Sequence, residues 1–437
     1  MDGTFPRPDA PELAPKVAWV CNWVDRSLPE EEAKLLNFCD TTVAYLMRQE
    51  PAARVEKLIG LVRHNAAALT NQVRLTAAMP PPRRAMRLAT HFLPCYSHPA
   101  VRPLYDDPAL RAAVEEAAAP IGPEIRAAGV RISMHPGQYC VLATESETVR
   151  RASVDEVEYH VHVMRLLGHA GGWHPHGAHV NVHGGGKAAG IEAFRAALSL
   201  LSDDARGLLT IENDEIAYGL DDVLPIADAL PVVLDIHHHW VMTGEYIAPD
   251  DPRIARVIES WRGVRPIAHA SSPREVVAPD LDPDVLPDRA ALLAGGANTR
   301  DLRMHSNRFW NRAHAAWAAG HLAWADIEVE AKDKNLATQD FAVAAGLVEF
   351  VPEPSPYVKP VRARKAGGTE PAPKATATAV VPRATRRPTD VTKGAAAAET
   401  TVLPKARARR APDKPAAPVA TATAPRPRGR PRKTPVA

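Results

Sequence analysis

The chain has 437 residues, 46% of them hydrophobic and 24% charged, with a formal net charge of +2 and no apolar run that approaches a membrane span. Its four cysteines, Cys21, Cys39, Cys95 and Cys140, are scattered without a C-x-x-C spacing, which argues against a disulfide framework or a zinc knuckle and fits a reducing cytoplasm. The near-neutral total hides two opposite halves: residues 352–437 hold 19 Lys and Arg against 5 Asp and Glu, leaving 34 against 46 elsewhere, so a tail of +14 follows a body of −12.

The opening MDGTFPRPDAPELAPK lacks the charged-then-apolar pattern of a signal peptide, so a soluble protein of the bacterial cytoplasm, associated with the nucleoid, is expected. Strand-like runs follow at 17–21, 86–89, 130–134, 178–183, 208–212, 232–235, 266–269 and 326–330. Stretches with helical spacing and composition fall between or after them at 54–69, 109–128, 153–169, 191–201 and 337–346. That alternation predicts an α/β fold, a (β/α)8 TIM barrel over residues 1–350. From about Val351 onward Pro, Ala, Thr, Lys and Arg dominate, and so little apolar surface cannot offset the entropy of ordering. Residues 351–437 are therefore expected to form a disordered basic C-terminal tail.

Six of the strand-like runs end alike: RISMHPGQY at His135, HVNVHGGG at His183, LLTIEND at Glu212, VVLDIHHH at Asp235, RPIAHASS at His269 and DIEVEAKDK at Glu330. One metal-binding side chain at the C-terminal end of each strand is how a barrel of this kind assembles a polynuclear site on its top face. His238, three residues beyond Asp235, and His305 complete the candidate ligand set, with His237 and His239 left to packing or solvent. Imidazole and carboxylate without thiolate select Zn2+, Mn2+ or Fe2+, and so many ligands call for two to three ions per chain. Any one of these histidines alone reads as a packed or surface residue; the repetition carries the metal reading.

Strand parity agrees. With side chains alternating faces, Ser133 and His135, Asn181 and His183, Thr210 and Glu212, and Glu328 and Glu330 fall on shared polar faces that a barrel turns inward. HGGGK at His183–Lys187 lacks the spacing of a Walker loop and reads as a tight turn.

The motifs ISMHPGQY, IEND (Ile211 to Asp214), VLDIHHH, HASSPRE (His269 to Glu275) and EAKDK (Glu330 to Lys334), in this order, resemble those of the UV damage endonucleases, metal-dependent barrel enzymes related to endonuclease IV. The resemblance spans about residues 17–347 and implies incision of DNA immediately 5′ to a UV photoproduct, with some action on abasic sites and Mn2+ as the usual metal. It further implies that His135, His183 and Glu212 hold one ion and that Glu212 bridges to a second held by Asp235, His269 and Glu330. His238 and His305 would complete a third site. Gln138 and Tyr139 take the places of the pair that wedges into the duplex, with UV-damaged double-stranded DNA as the partner and a monomer as the working form. Three segments depart from the family pattern. Ile267 stands where a lysine, sometimes carboxylated, is usual; Trp19 replaces a first-strand tyrosine; and RLATHFLPCYSHP carries Ala89, Thr90 and His91 in unusual places, with His98 a further candidate ligand.

In the tail, Arg428 and Arg430 of PRGRPRK look like an AT-hook core, against a background reading of general phosphate binding by a polycation. Two other functions compete: a metal-dependent sugar isomerase or epimerase on the same barrel, and a non-catalytic DNA-binding protein. Gln138, Tyr139 and the tail would be idle on a sugar, and a full ligand set would burden a protein that did not use it.

Overall fold

The computed structural model describes residues 14–349. Residues 1–13 and the expected tail, with Arg428 and Arg430, lie outside the described residues.

Eight short strands, β1 (Val17–Cys21), β2 (Ala85–Leu88), β3 (Arg131–Met134), β4 (His179–His183), β5 (Leu209–Glu212), β6 (Val232–Asp235), β7 (Ile267–Ala270) and β8 (Asp326–Val329), pair in parallel and in chain order. The ring closes where Val17 pairs with Ile327 and Ala18 with Glu328. This is the TIM barrel that the alternation predicts. The longer helices outside it are α1 (Pro51–Ala77), α2 (Pro108–Ala118), α3 (Ile121–Ala127), α4 (Glu147–Leu166), α5 (Gly190–Ala197), α6 (Ile236–Thr243), α7 (Pro252–Ser260), α8 (Arg312–Gly320) and α9 (Lys334–Ala344). Among the described residues no helix is long and apolar enough to cross a membrane.

Helix starts follow local chemistry. Pro51, Pro108 and Pro252 occupy first-turn positions where no amide hydrogen is needed, and Asp107, Ser146 and Asp251 cap α2, α4 and α7 through their side chains. The stretch 109–128, expected as one helical run, is two helices, because Pro120 cannot donate the bond that would continue α2. Gly122 in α3 lets that helix touch the end of α4: a Cβ there would meet the Leu167 carbonyl oxygen at 1.9 Å.

The apolar strand faces point outward. Ile132, Met134, Val180, Val182, Ile211, Ile327 and Val329 are buried in one core cluster with side chains of the helices. The barrel interior, by contrast, is largely polar. At its lower end Arg131 donates from Nη1 to Asp326 Oδ2 (2.8 Å), and Arg265 donates from Nε to Asp326 Oδ1 (2.8 Å). The Arg131 guanidinium lies 5.6 Å from the Trp261 ring, which packs with Val233 and Ile267. Ile267, where the family lysine was sought, shares its strand face with His269 and belongs to this apolar plug.

Removing Arg131 would leave Asp326 with one guanidinium in a water-poor barrel. Arg131→Ala should lower unfolding free energy by about 3 kcal/mol in equilibrium denaturation. A loss below about 0.5 kcal/mol, the level of an ordinary surface change, would show that the pair contributes nothing.

Candidate metal centre

Three groups of potential ligands lie at the C-terminal ends of the strands: His135, His183 and Glu212; Glu212, Asp235 and His238; and Asp235, His269 and Glu330, each with one donor atom per residue within 4.8 Å of the others. Glu212 and Asp235 each belong to two groups, so the three are contiguous. Glu212 faces both ways: Oε2 lies 3.1 Å from His135 Nε2, while Oε1 lies 3.1 Å from His269 Nδ1 and 3.3 Å from His238 Nδ1. His305, in a loop bridged to Pro273, has Nε2 3.8 Å from Glu330 Oε2 but falls in none of the three groups. His98 is exposed, is in none of them, and accepts from Ala100 N–H through Nδ1 at 3.1 Å, because it lies in a helical turn of the loop after β2.

Local structure aims each ligand. The His135 Nδ1–H donates to the Pro136 carbonyl (2.7 Å), leaving Nε2 for the centre. Asp235 ends β6 and caps α6 at once: Oδ1 accepts from His238 N–H (2.7 Å), while Oδ2 is buried without a hydrogen-bond partner. The nitrogens of His269 and His183 Nδ1 are likewise buried without a directed hydrogen bond. Orphaned lone pairs that converge in this way fit divalent cations and are expensive otherwise. His237 and His239 are both buried, His237 Nε2 on the Leu302 carbonyl (3.0 Å) and His239 Nε2 beside Glu245 (2.9 Å), so neither faces solvent.

Neighbours that the strand pattern left without a task hold the ligands in place. Asn181 donates to Glu212 Oε2, Ser133 donates to Glu328, and Glu328 Oε2 stands 3.3 Å from His269 Nε2. Arg87 donates to Glu330 and lies 3.4 Å from Glu328. Glu215, 3.6 Å from His238 Nε2 and 3.4 Å from Arg303, was signalled by nothing beyond its place after IEND. Trp19 is turned away: its indole N–H donates to Thr76 in α1 (3.1 Å).

The electrostatics are those of a cation site. Burial would raise Glu212, but His269, His183, His135 and His238 outweigh it and hold the carboxyl well below its usual range. Glu330 also lies well below, burial being overcome by Arg87 and His269, and Glu328 is lowered to about 2, burial being overcome by His269 and Arg87. Burial would lower His238 and His269, yet Asp235 and Glu212 raise the first, and Glu212, Glu328 and Glu330 the second, well above the ordinary value. Asp235 is pushed up to about 7 by burial, only partly opposed by His238. Protons thus gather where the carboxylate charge calls for cations.

The profile of the UV-endonuclease UvdE family matches residues 17–351. A UV-damage endonuclease of Neurospora crassa is 26% identical over 269 residues, which cover 58% of this chain and 36% of that protein. A UV DNA damage endonuclease of Bacillus cereus (strain G9842) is 27% identical over 253 residues, 55% of this chain and 73% of its own. The chain thus spans little more than a third of the Neurospora relative. The crystal structure of SacUVDE superposes with a TM-score of 0.56 at 22% identity, covering 76% of this chain and 97% of that one, and so shares the fold.

Protons and metal compete for this cluster. Because Asp235, His238 and His269 hold protons up to or beyond neutral pH, an incoming cation must displace them, and affinity must fall as pH drops through about 7. Calorimetric titration with Mn2+ at about pH 7, in buffers of different ionisation enthalpy, should register net proton release, with tighter binding at about pH 8 than at about pH 6. Binding without proton release would place the ions elsewhere.

Proposed function

Because the chain belongs to the UV-endonuclease UvdE family, we propose that it is a DNA repair endonuclease that hydrolyses the phosphodiester immediately 5′ to UV photoproducts and also acts at abasic sites. The observation that carries this reading is the set of three contiguous ligand groups at the strand ends, with Tyr139 standing 85% exposed in the loop that follows His135.

In this reading His135, His183 and Glu212 hold one ion, Asp235, His269 and Glu330 a second with Glu212 shared, and His238 and His305 a third. Mn2+ is the proposed metal. Such ions, when bound, neutralise the phosphate charge and make hydroxide available near neutral pH. The protein's own groups do the rest. Glu212 presents one oxygen to each side of the centre, and Arg87 and Asn181 keep Glu330 and Glu212 in place. Gln138 and Tyr139, both exposed, enter the stack at the lesion, the ring supplying a stacking face and the amide a base-edge partner. The tail, at +14, adds a phosphate-binding arm, with Arg428 and Arg430 as its AT-hook element.

Glu212→Gln in the full chain should keep the fold by circular dichroism yet cut a duplex bearing one pyrimidine dimer on the order of 100- to 1,000-fold more slowly. Product mapping should place the wild-type nick at the 5′ side of the dimer. A folded, metal-loaded Glu212→Gln protein with normal turnover would overturn the assignment. Deleting residues 352–437 should leave turnover at saturating DNA unchanged while weakening binding and flattening its salt dependence, as fewer counterions are released. An unchanged salt slope would remove the arm from the reading.

A further inference from the structure

The loop after β5 is fastened far more tightly than delivery of Glu212 requires. Asn213 joins it to β6, accepting from Asp235 N–H (2.9 Å) and donating to the Asp235 carbonyl (3.0 Å). The Asp214 carboxylate accepts the backbone N–H groups of Ile216 (2.7 Å), Ala217 and Tyr218 (3.2 Å), and Asp214 N–H donates to the Tyr218 carbonyl (2.7 Å). On the other side the Tyr218 hydroxyl donates to the Gly186 carbonyl (3.0 Å), and Gly186 N–H donates to the Ala143 carbonyl (3.0 Å) in the loop that carries Tyr139. Gly184 makes the approach possible, since a Cβ there would stand 2.7 Å from the Tyr218 ring.

Ile216 sits at the tip of this knot. It is 66% exposed and, among the described residues, is second only to Tyr139 in exposure of a large apolar side chain; it packs in no core cluster. A loose loop would fold such a residue inward, but three amides bonded to one carboxylate hold this one out. Its sequence neighbour Glu215 lies 3.6 Å from His238 Nε2, so the loop that carries Ile216 borders the ligand groups.

We propose that Ile216 is a second probe of the damaged duplex, an apolar wedge that presses into the base stack at the distorted step while the Tyr218–Gly186–Ala143 chain keeps it in register with Tyr139. The inference rests on the endonuclease reading above. Aliphatic side chains serve as wedges because they gain by leaving water and match the faces of unstacked bases. The ligand is duplex DNA whose stacking a covalent lesion has already weakened, so that insertion is least costly there.

The test uses full-length protein with Mn2+ and a dimer-containing duplex that carries 2-aminopurine opposite the lesion. Ile216→Ser should lose roughly tenfold in kcat/KM, the scale set by forgoing burial of an aliphatic side chain, chiefly through KM. It should also give a smaller fluorescence rise on binding, while Mn2+ affinity stays unchanged, and Ile216→Met should restore both signals. Leu200→Ser, at a 53% exposed position in the connection leading into β5, should behave as wild type. Wild-type kcat/KM and fluorescence in Ile216→Ser, or an equal loss in Leu200→Ser, would overturn the inference and leave the endonuclease reading standing. A wild-type protein that neither cuts nor brightens the duplex would overturn both.

Discussion

Burial of carboxylates in the barrel interior is the constraint on which the rest of the structure depends. Asp326 is answered by Arg131 and Arg265, and Glu328 and Glu330 by Arg87, whereas the ion pairs of Glu212 and Asp235 among the described residues are with histidines. Histidines supply positive charge there, and the converging orphaned donors fit divalent cations, because carboxylates left unpaired in such a place are strongly destabilising. Barrels of this type usually fill their interior with layers of branched aliphatic side chains. Here Arg131, Ser133, Asn181, Thr210 and Glu328 take those places, and the apolar core moves to the surface between strands and helices.

The architecture is legible because four strands, those of Ser133, Asn181, Thr210 and Glu328, alternate a polar with an apolar face, which a closed parallel barrel satisfies at once. Trp19 shows where that signal fails. The run Val17–Cys21 is apolar on both faces, so period two gives it no direction, and only the hydrogen bond to Thr76 shows that the indole points outward. The ligand candidates stood out because strand ends are marked in the chain, whereas the groups that orient them are not. Arg87 meets Glu330 across 243 residues, a contact that no local pattern encodes. Asp235 was read as a ligand, but its second task, capping α6, depends on the helix starting at the very next residue. The expected single helix at 109–128 failed for a local reason, since Pro120 divides it.

HGGGK, read as a tight turn, has a larger part in the molecule. Gly185 bridges to Ala143, and Gly186 receives Tyr218, so the run is a seam joining three successive strand-end loops. Glycine suits a seam because side chains would hold the backbones apart.

The seam also separates two kinds of evolutionary freedom. The candidate ligands sit at strand ends inside a hydrogen-bonded frame, where replacing one partner of a buried ion pair leaves the other charge unanswered. Side chains at loop tips, such as Tyr139, pack in no core cluster, and in the proposed reading recognition belongs to them. Substitution at the tips can therefore redraw the range of distortions that the protein accepts without disturbing the frame below. On the proposed function, a lineage under a changing burden of damage could drift in what it detects while keeping one inherited way of cutting.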